Sequence, residues 1–262
     1  MGQTGTRVRV LSVVIPLMVV GAGARQPTPA PAQPRLLTRW AADVRPDRVL
    51  PEYPRPQMTR PDWQSLNGSW EYAITPREGS APQSYKGTIL VPFAIESVLS
   101  GVRTAVTPEQ YLWYRRTFDA PRRAQGGRVL LHFGAVDWEA VASVNGRQVG
   151  EHRGGYDPFT FDITDALRPS GRQEIVVRVW DPTDKGPQPR GKQVLNPRSI
   201  WYTAVTGIWQ TVWLEGVPAH YVSALRIDPD VDAGVVRVQV TTGGETPAGA
   251  TARVEARDGA RA

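Results

Sequence analysis

An all-β fold, a sandwich or a barrel, is what this sequence predicts, and three observations carry that reading. Short apolar or alternating segments recur along the chain with turn residues between them. No long segment repeats its apolar residues at a helical period. Glycine and proline are frequent, 25 and 24 in 262 residues, which favours many turns over long helices. Hydrophobic residues make up 40% of the chain and aromatic residues 8%, enough to pack a core and too apolar for a disordered chain.

The N-terminus comes first in order. Arg7 and Arg9 precede an apolar run, Val10 to Val20, interrupted by Pro16, and Ala22-Gly23-Ala24 supplies a small-x-small cleavage pattern before Arg25. A bilayer span needs about 20 continuous apolar residues, so residues 1–24 are expected to be a secretory signal peptide. The protein is then exported, periplasmic or extracellular, with no membrane span after cleavage. Residues 25–35, RQPTPAPAQPR, read as an extended, semi-rigid linker. A second Pro-rich stretch, PEYPRPQMTRP from Pro51 to Pro61, closes an N-terminal arm over residues 25–60.

Strand signals follow. Ser69–Ile74 alternates, and Gly87–Val91 stops at Pro92. Tyr111–Phe118 (YLWYRRTF) is aromatic-rich and ends at Ala120-Pro121, while Arg128–Phe133 (RVLLHF) is almost continuously apolar between glycines. Glu139–Val144 and Arg147–Gly150 form a hairpin, followed by Phe159–Ile163, the well-alternating Glu174–Trp180 (EIVVRVW) and Thr211–Leu214. After Pro218 the texture changes: Tyr221–Ile227, Val235–Thr241 and Thr251–Ala256 read as three strands of a second β-domain. Three strands bury too little apolar surface to stand alone, since an immunoglobulin-type sandwich needs about seven. The second domain, residues 219–262, is therefore expected to be truncated, with the chain continuing in the natural protein.

Composition excludes several classes of function. The absence of cysteine removes disulfides, Cys-ligated zinc and thiol catalysis. The chain has 31 Lys and Arg against 25 Asp and Glu, a formal charge of +6. Only Lys86, Lys185 and Lys192 are lysines, and the arginines are scattered singly with no basic run, so they read as solvated faces rather than a nucleic-acid surface. His132, His152 and His220 are isolated, without a metal-binding motif, and no phosphate-cradling loop follows the signal peptide. No metal and no cofactor is expected.

Two features carry local information. Asn145-Gly146 is a type I′ turn signal, because both central residues of that turn need positive φ; it sets Val144 opposite Arg147. Asp137 and Glu139 stand two residues apart and, on one strand, would direct both carboxylates to one face about 6.6–7 Å apart. That separation overlaps the inverting-glycosidase range, although acids flanking an apolar strand ordinarily face solvent.

The segment WYTAVTGIWQTVW, Trp201 to Trp213, sets three Trp and a Tyr around Thr206-Gly207, shortly after Gly191-Lys192-Gln193. Together with VDWEAVASVNGRQVGEHRGGYDPFTFDIT, LNGSWEY and YLWYRRTF, it resembles the N-terminal domain of glycoside hydrolase family 2, from about Trp63 to Val217. The resemblance implies a jelly-roll, galactose-binding-like β-sandwich over residues 61–218, followed by an immunoglobulin-like sandwich and a catalytic (β/α)8 barrel. The family's acid/base glutamate follows an Asn in that barrel. The three Asn here, Asn67, Asn145 and Asn196, precede Gly, Gly and Pro, so no catalytic residue is expected in this chain.

In such enzymes loops of the jelly roll wall the active-site pocket, and the expected partners are a β-linked carbohydrate and the barrel. Glu151–Pro158 is expected to be a strand-to-strand corner, with Gly154-Gly155 allowing the reversal, Pro158 stiffening the exit beyond Asp157, and Tyr156 anchoring the turn by its hydroxyl. Lys192, Gln193, Asn196 and Arg198 are polar groups near Trp201, the combination a sugar ring uses, and the loop reads equally as plain structure. An acid found in this loop in β-galactosidases is missing from Asn196-Pro197-Arg198-Ser199, so a basic loop suited to an acidic sugar is expected instead. Two functions stay open at this point: the non-catalytic N-terminal part of an exported exo-β-glycosidase, or a free-standing carbohydrate-binding module using the Trp201–Trp213 surface. A third possibility is an inert packing domain.

Overall fold

The computed structural model describes residues 37–245 and 247–255. The signal peptide and linker expected over residues 1–24 and 25–35 lie outside them. Fourteen strands follow a short 3-10 turn at Arg39–Asp43: β1 (Trp63–Ser65), β2 (Gly68–Pro76), β3 (Gly87–Val91), β4 (Gln110–Phe118), β5 (Arg128–Phe133), β6 (Val136–Asp137), β7 (Glu139–Val144), β8 (Arg147–Arg153), β9 (Phe159–Asp162), β10 (Gln173–Trp180), β11 (Gly207–Ile208), β12 (Val212–Val217), β13 (Tyr221–Asp230) and β14 (Val235–Gly243). The all-β expectation holds.

Two antiparallel sheets make the sandwich. One runs β3-β2-β4-β10-β7-β8 and the other β1-β12-β5-β9. Trp70, Leu112, Tyr114 and Val177 of the six-stranded sheet share a core with Leu131, Phe133 and Leu214 of the four-stranded one. Strand β10 shows why its sequence alternates: Gln173, Ile175, Val177 and Val179 are buried, and the residues between them are half-buried on the outer face. Strand β5 does not alternate because both of its faces are covered. Leu131 and Phe133 enter the core, while His132 on the outer face stacks on Trp213 at 4.7 Å.

The arm before β1 packs against the four-stranded sheet. Asn67 donates from Nδ2 to the carbonyls of Val49 and Leu50 at 3.3 and 3.4 Å, and Tyr53, Arg55 and Arg60 converge on Glu215 of β12. Arg60 also donates to the carbonyl of Val222 in β13.

Three boundaries differ from expectation. Strand β8 continues to Arg153, because Glu139, Ala140 and Val141 of β7 extend the ladder to Arg153, His152 and Glu151. The corner is correspondingly shorter. The segment expected to be a strand from Thr251 is not one through Glu255, with Ala256 outside the described residues. A strand exists by pairing, and among the described residues β13 and β14 pair only with each other, in a two-stranded sheet. Finally, Asp137 and Glu139 do not share a strand face. Asp137 ends β6 and pairs with Gly207 of β11, whereas Glu139 opens β7; the peptide joining Asp137 to Trp138 is cis.

Candidate functional site

The loop after β10 doubles back on itself. Tyr202 donates its N–H to the carbonyl of Lys192 at 2.8 Å, and its carbonyl accepts from Val194 at 3.0 Å, so Gln193 and Tyr202 pair in parallel. A turn closed by Trp201 N–H to the Arg198 carbonyl, 3.0 Å, forms the tip. Lys192, Asn196, Arg198, Ile200, Trp201 and Tyr202 are all exposed, with Ile200 at 61%, Trp201 at 40% and Tyr202 at 64%. Exposed aromatic and aliphatic surface beside cationic and amide donors can stack on one face of a sugar and hydrogen-bond its rim. Lys192 Nζ lies 5.9 Å from the Tyr202 ring centre, at the outer edge of a cation–π contact.

Gln193, counted with these groups from sequence, faces inward. Its Oε1 accepts from the Val205 N–H at 2.6 Å, and its Nε2 donates to Asp137 Oδ2 at 3.3 Å. Asp137 is 4% exposed. Near it, Thr206 bridges two more carboxylates: its N–H donates to Glu96 at 2.9 Å and its hydroxyl to Asp181 at 3.1 Å. Burial pushes Asp137 up to about 7, with added repulsion from Asp181 and Glu96. Burial likewise pushes Glu96 up to about 7 against its Thr206 hydrogen bonds, and Asp181 is raised for the same reason. Oε1 of Glu96 is buried without a hydrogen-bond partner.

The Gly-Gly corner rests on the same carboxylate. A Cβ on Gly155 would stand 2.6 Å from Asp137 Oδ1, so only glycine fits there. Gly154 takes φ +141° and donates its N–H to the Trp138 carbonyl at 3.2 Å. The Gly155 carbonyl accepts from Trp209 Nε1 at 2.8 Å. Tyr156 does not anchor the turn by its hydroxyl. The residue is 49% exposed and sets its ring against the edge of Trp209 at 6.2 Å, so the backbone carbonyl of Gly155 performs the anchoring instead. Asp157 and Pro158 are exposed beyond it. At the hairpin, Asn145 and Gly146 take φ +51° and +82°, with Val144 opposite Arg147.

The three Trp of the Trp201–Trp213 segment therefore do not form one surface. Trp201 is exposed, Trp209 serves the corner, and Trp213 is 5% exposed against His132. Glu139 pairs with Arg153 at 2.9 Å on the outer face, far in character from the buried Asp137, and the two make no carboxyl pair. The roles of Glu96, Asp181 and Thr206 carry no sequence signal, since their common neighbourhood forms only when β6 and β11 pair. Among the described residues no group of three or more His, Asp or Glu is placed to hold a metal ion, and no helix is long and apolar enough to cross a membrane.

Open concavities exist elsewhere. One groove of about 720 Å3 passes Trp180, Arg77 and Pro108, and another of about 750 Å3 lies between the arm, Trp213 and Phe159. Neither is lined by a residue of the 192–202 loop.

Comparison with known proteins places this geometry. Residues 99–204 match the glycosyl hydrolase 2 galactose-binding domain-like family. A β-galactosidase of Thermoanaerobacter pseudethanolicus is 33% identical over 132 residues, 50% of this chain and 17% of its own. A β-glucuronidase of Felis catus is 26% identical over 227 residues, 74% of this chain and 35% of its own. Among solved structures, a Faecalibacterium prausnitzii β-glucuronidase superposes with a TM-score of 0.54 at 24% identity, covering 75% of this chain and 38% of that one, which supports the fold. The chain thus spans well under half the length of these relatives.

Proposed function

We propose that this chain, whose residues 99–204 carry a galactose-binding-like domain of glycosyl hydrolase family 2, is the non-catalytic N-terminal part of an exported exo-β-glycosidase. The complete protein would hydrolyse a terminal β-linked sugar with retention, through two barrel glutamates about 5–5.5 Å apart. The 192–202 loop would form one wall of the substrate pocket, and the barrel the remainder. Export rests on the charged, apolar and small-residue pattern of residues 1–24.

One observation carries the reading: Lys192, Asn196, Arg198 and Trp201 are presented together on an exposed, doubly hydrogen-bonded loop that lines neither of the grooves beside Trp180 and Trp213. A wall that displays sugar-binding chemistry without enclosing a sugar fits a domain that works against a partner domain. The loop's two cations and lack of an acid favour a uronic acid over a neutral sugar, because a carboxylate at the sugar's edge would be paired with Arg198 or Lys192. Similar proteins carry both names, β-glucuronidase and β-galactosidase, so the preference rests on the loop's charges alone.

Calorimetry with methyl β-D-glucuronide and methyl β-D-galactoside tests the binding step, and aryl β-glycosides test turnover. The chain is expected to show no turnover and to bind the glucuronide weakly, in the millimolar range or above, with the galactoside weaker still. Turnover by the chain alone would overturn the non-catalytic assignment. Micromolar binding would show a self-sufficient carbohydrate-binding module.

A further inference from the structure

Two parts of the chain far apart in sequence meet at a single carboxylate. Asp137 accepts from Gln193 through Oδ2, and its Oδ1 lies against the Gly155 backbone where no Cβ fits. Gln193 passes this contact on, because the same amide accepts from Val205 and its backbone pairs with Tyr202. The loop and the 154–155 corner are therefore registered to each other through one side chain of β6. The Gly155 carbonyl, accepting from Trp209 just beyond β11, also ties the corner to the segment that follows the loop.

We infer that Asp137 is a positioning residue for the 192–202 loop, fixing through Gln193 the conformation in which Lys192, Asn196, Arg198 and Trp201 face a glycoside. The inference deepens the reading given above and rests on it for the identity of the ligand. Within the loop, Tyr202 N–H to the Lys192 carbonyl, Val194 N–H to the Tyr202 carbonyl and Trp201 N–H to the Arg198 carbonyl set its fold, and none of them ties it to another element. Gln193 N–H to Arg190 and Leu195 N–H to Asp184 span 3.3 and 3.2 Å, and the tip residues are exposed. The Gln193 amide is the point where the loop is bonded to a strand of the sandwich.

The groups facing Asp137 make this position sensitive to protons. Glu96 approaches from the segment after β3 and Asp181 from the end of β10, with Asp184 adding its charge to Asp181. Tyr114 of β4 lies behind, receiving the Ile208 N–H beside Gly207, the partner of Asp137. Across the corner stands His152, stacked on Phe159 at 4.1 Å, its pKa lowered chiefly by burial. The leading influences on these three carboxyls are burial, hydrogen bonds and one another's charge. Ionising all three carboxylates sets like charges against one another around Thr206 and Gln193, while the Gln193 hydrogen bond favours the ionised Asp137, so the loop's hold depends on the protons of this group.

The chain carrying Asp137→Ala, Gln193→Ala or Asp137→Asn, compared with its parent, tests this. Amide exchange over residues 190–206 is measured as protection factors at pH 6 and pH 8, with β5 and β10 as internal references, and binding by calorimetry with methyl β-D-glucuronide. Asp137→Ala and Gln193→Ala are expected to lower loop protection about tenfold or more while leaving β5 and β10 unchanged, and to weaken glucuronide binding about tenfold. Asp137→Asn keeps the acceptor without the charge: it is expected to retain loop protection and to show less change between pH 6 and pH 8 than its parent. Unchanged loop protection in Asp137→Ala, or an equal loss in β5 and β10, would overturn the inference. A loop that loosens as expected in a chain whose parent binds no glycoside would support the positioning role and remove the glycoside reading instead.

Discussion

The Glu215 carboxylate, with no exposed side-chain surface, lies 3.1 Å from the guanidinium of Arg60, a residue 155 positions earlier in the chain. Tyr53 donates to the same carboxylate at 2.6 Å and Trp213 at 3.0 Å, while Arg55 stands 3.5 Å away. The arm is thus fastened to β12 by a buried anion, and Arg60 carries the fastening on to β13 through the Val222 carbonyl. Burial would raise the carboxyl of Glu215, but His132, 3.6 Å away, and the Tyr53 and Trp213 hydrogen bonds outweigh it and hold the group well below the usual carboxylate range. Replacing Glu215 by Ala leaves Arg60 and Arg55 without a counter-ion, and is expected to cost about 3–5 kcal/mol in urea unfolding. Because the folded pKa is depressed, this contribution is present above the unfolded value near 4.5 and lost as pH falls through the folded one. An unfolding free energy within 1 kcal/mol or so of the parent would show that the arm does not depend on this anion.

Much of this architecture is legible in the residues, for a stated reason. Strand β10 alternates because its two sides meet core and outer face in turn, and Asn145-Gly146 marks its turn because few residues accept positive φ. What is not legible is what distant segments do to one another. Glu215 reads as the polar end of TVWLE until Arg60 and Tyr53 arrive from the arm. Asp137 reads as one of a strand pair with Glu139, and becomes a buried hub only because β6 ends there and Gln193 folds back over it. Gln193 shows the same limit: its amide suits a sugar or a carboxylate equally, and only the loop's return path decides.

At the corner, Gly155→Ala tests how close the backbone must come to Asp137. The added methyl would meet Oδ1 at 2.6 Å, well inside van der Waals contact, and the corner must shift to relieve it. Overpacking of this kind costs about 1–3 kcal/mol. Thermal unfolding is expected to show a clearly lower midpoint for Gly155→Ala. A neutral effect would mean that the corner and β6 are not in register as described.

Asn145 does more than accept its turn. Its Nδ2 donates to the Ala166 carbonyl at 2.8 Å and to Gln173 Oε1 at 2.7 Å, and its Oδ1 accepts from the Glu174 N–H at 3.0 Å. Gln173 is 1% exposed, so removing the amide leaves a buried group short of a partner. Asn145→Ala also places alanine at φ +51°, a conformation alanine resists. Together these are expected to cost about 2–4 kcal/mol by chemical denaturation. Asn145→Asp keeps the acceptor for Glu174 but turns a carboxylate oxygen on the Ala166 carbonyl and Gln173 Oε1, so it is expected to recover little of the loss. A loss below about 1 kcal/mol for Asn145→Ala would show that the turn does not depend on this amide.

The pH dependence of stability isolates Asp137. Its folded pKa of about 7 stands above the unfolded value of 3.8, so the folded state holds the proton more tightly. Such a group gives stability that is fully present below the unfolded value and lost as pH rises through 7. Buried His132, whose pKa is lowered chiefly by burial, acts in the opposite sense, favouring the folded state more as pH rises through 6.5. The parent's own profile therefore mixes the two. The difference between Asp137→Asn and the parent removes the histidine, which both chains share. Asn mimics the protonated acid at every pH, so the variant is expected to gain about 1–3 kcal/mol relative to the parent between pH 5 and pH 8, as the parent's carboxyl ionises. Urea unfolding at three or four values across that window measures the gain. A difference that stays flat would place Asp137 in contact with water or a cation, and the buried three-acid cluster would not exist as described.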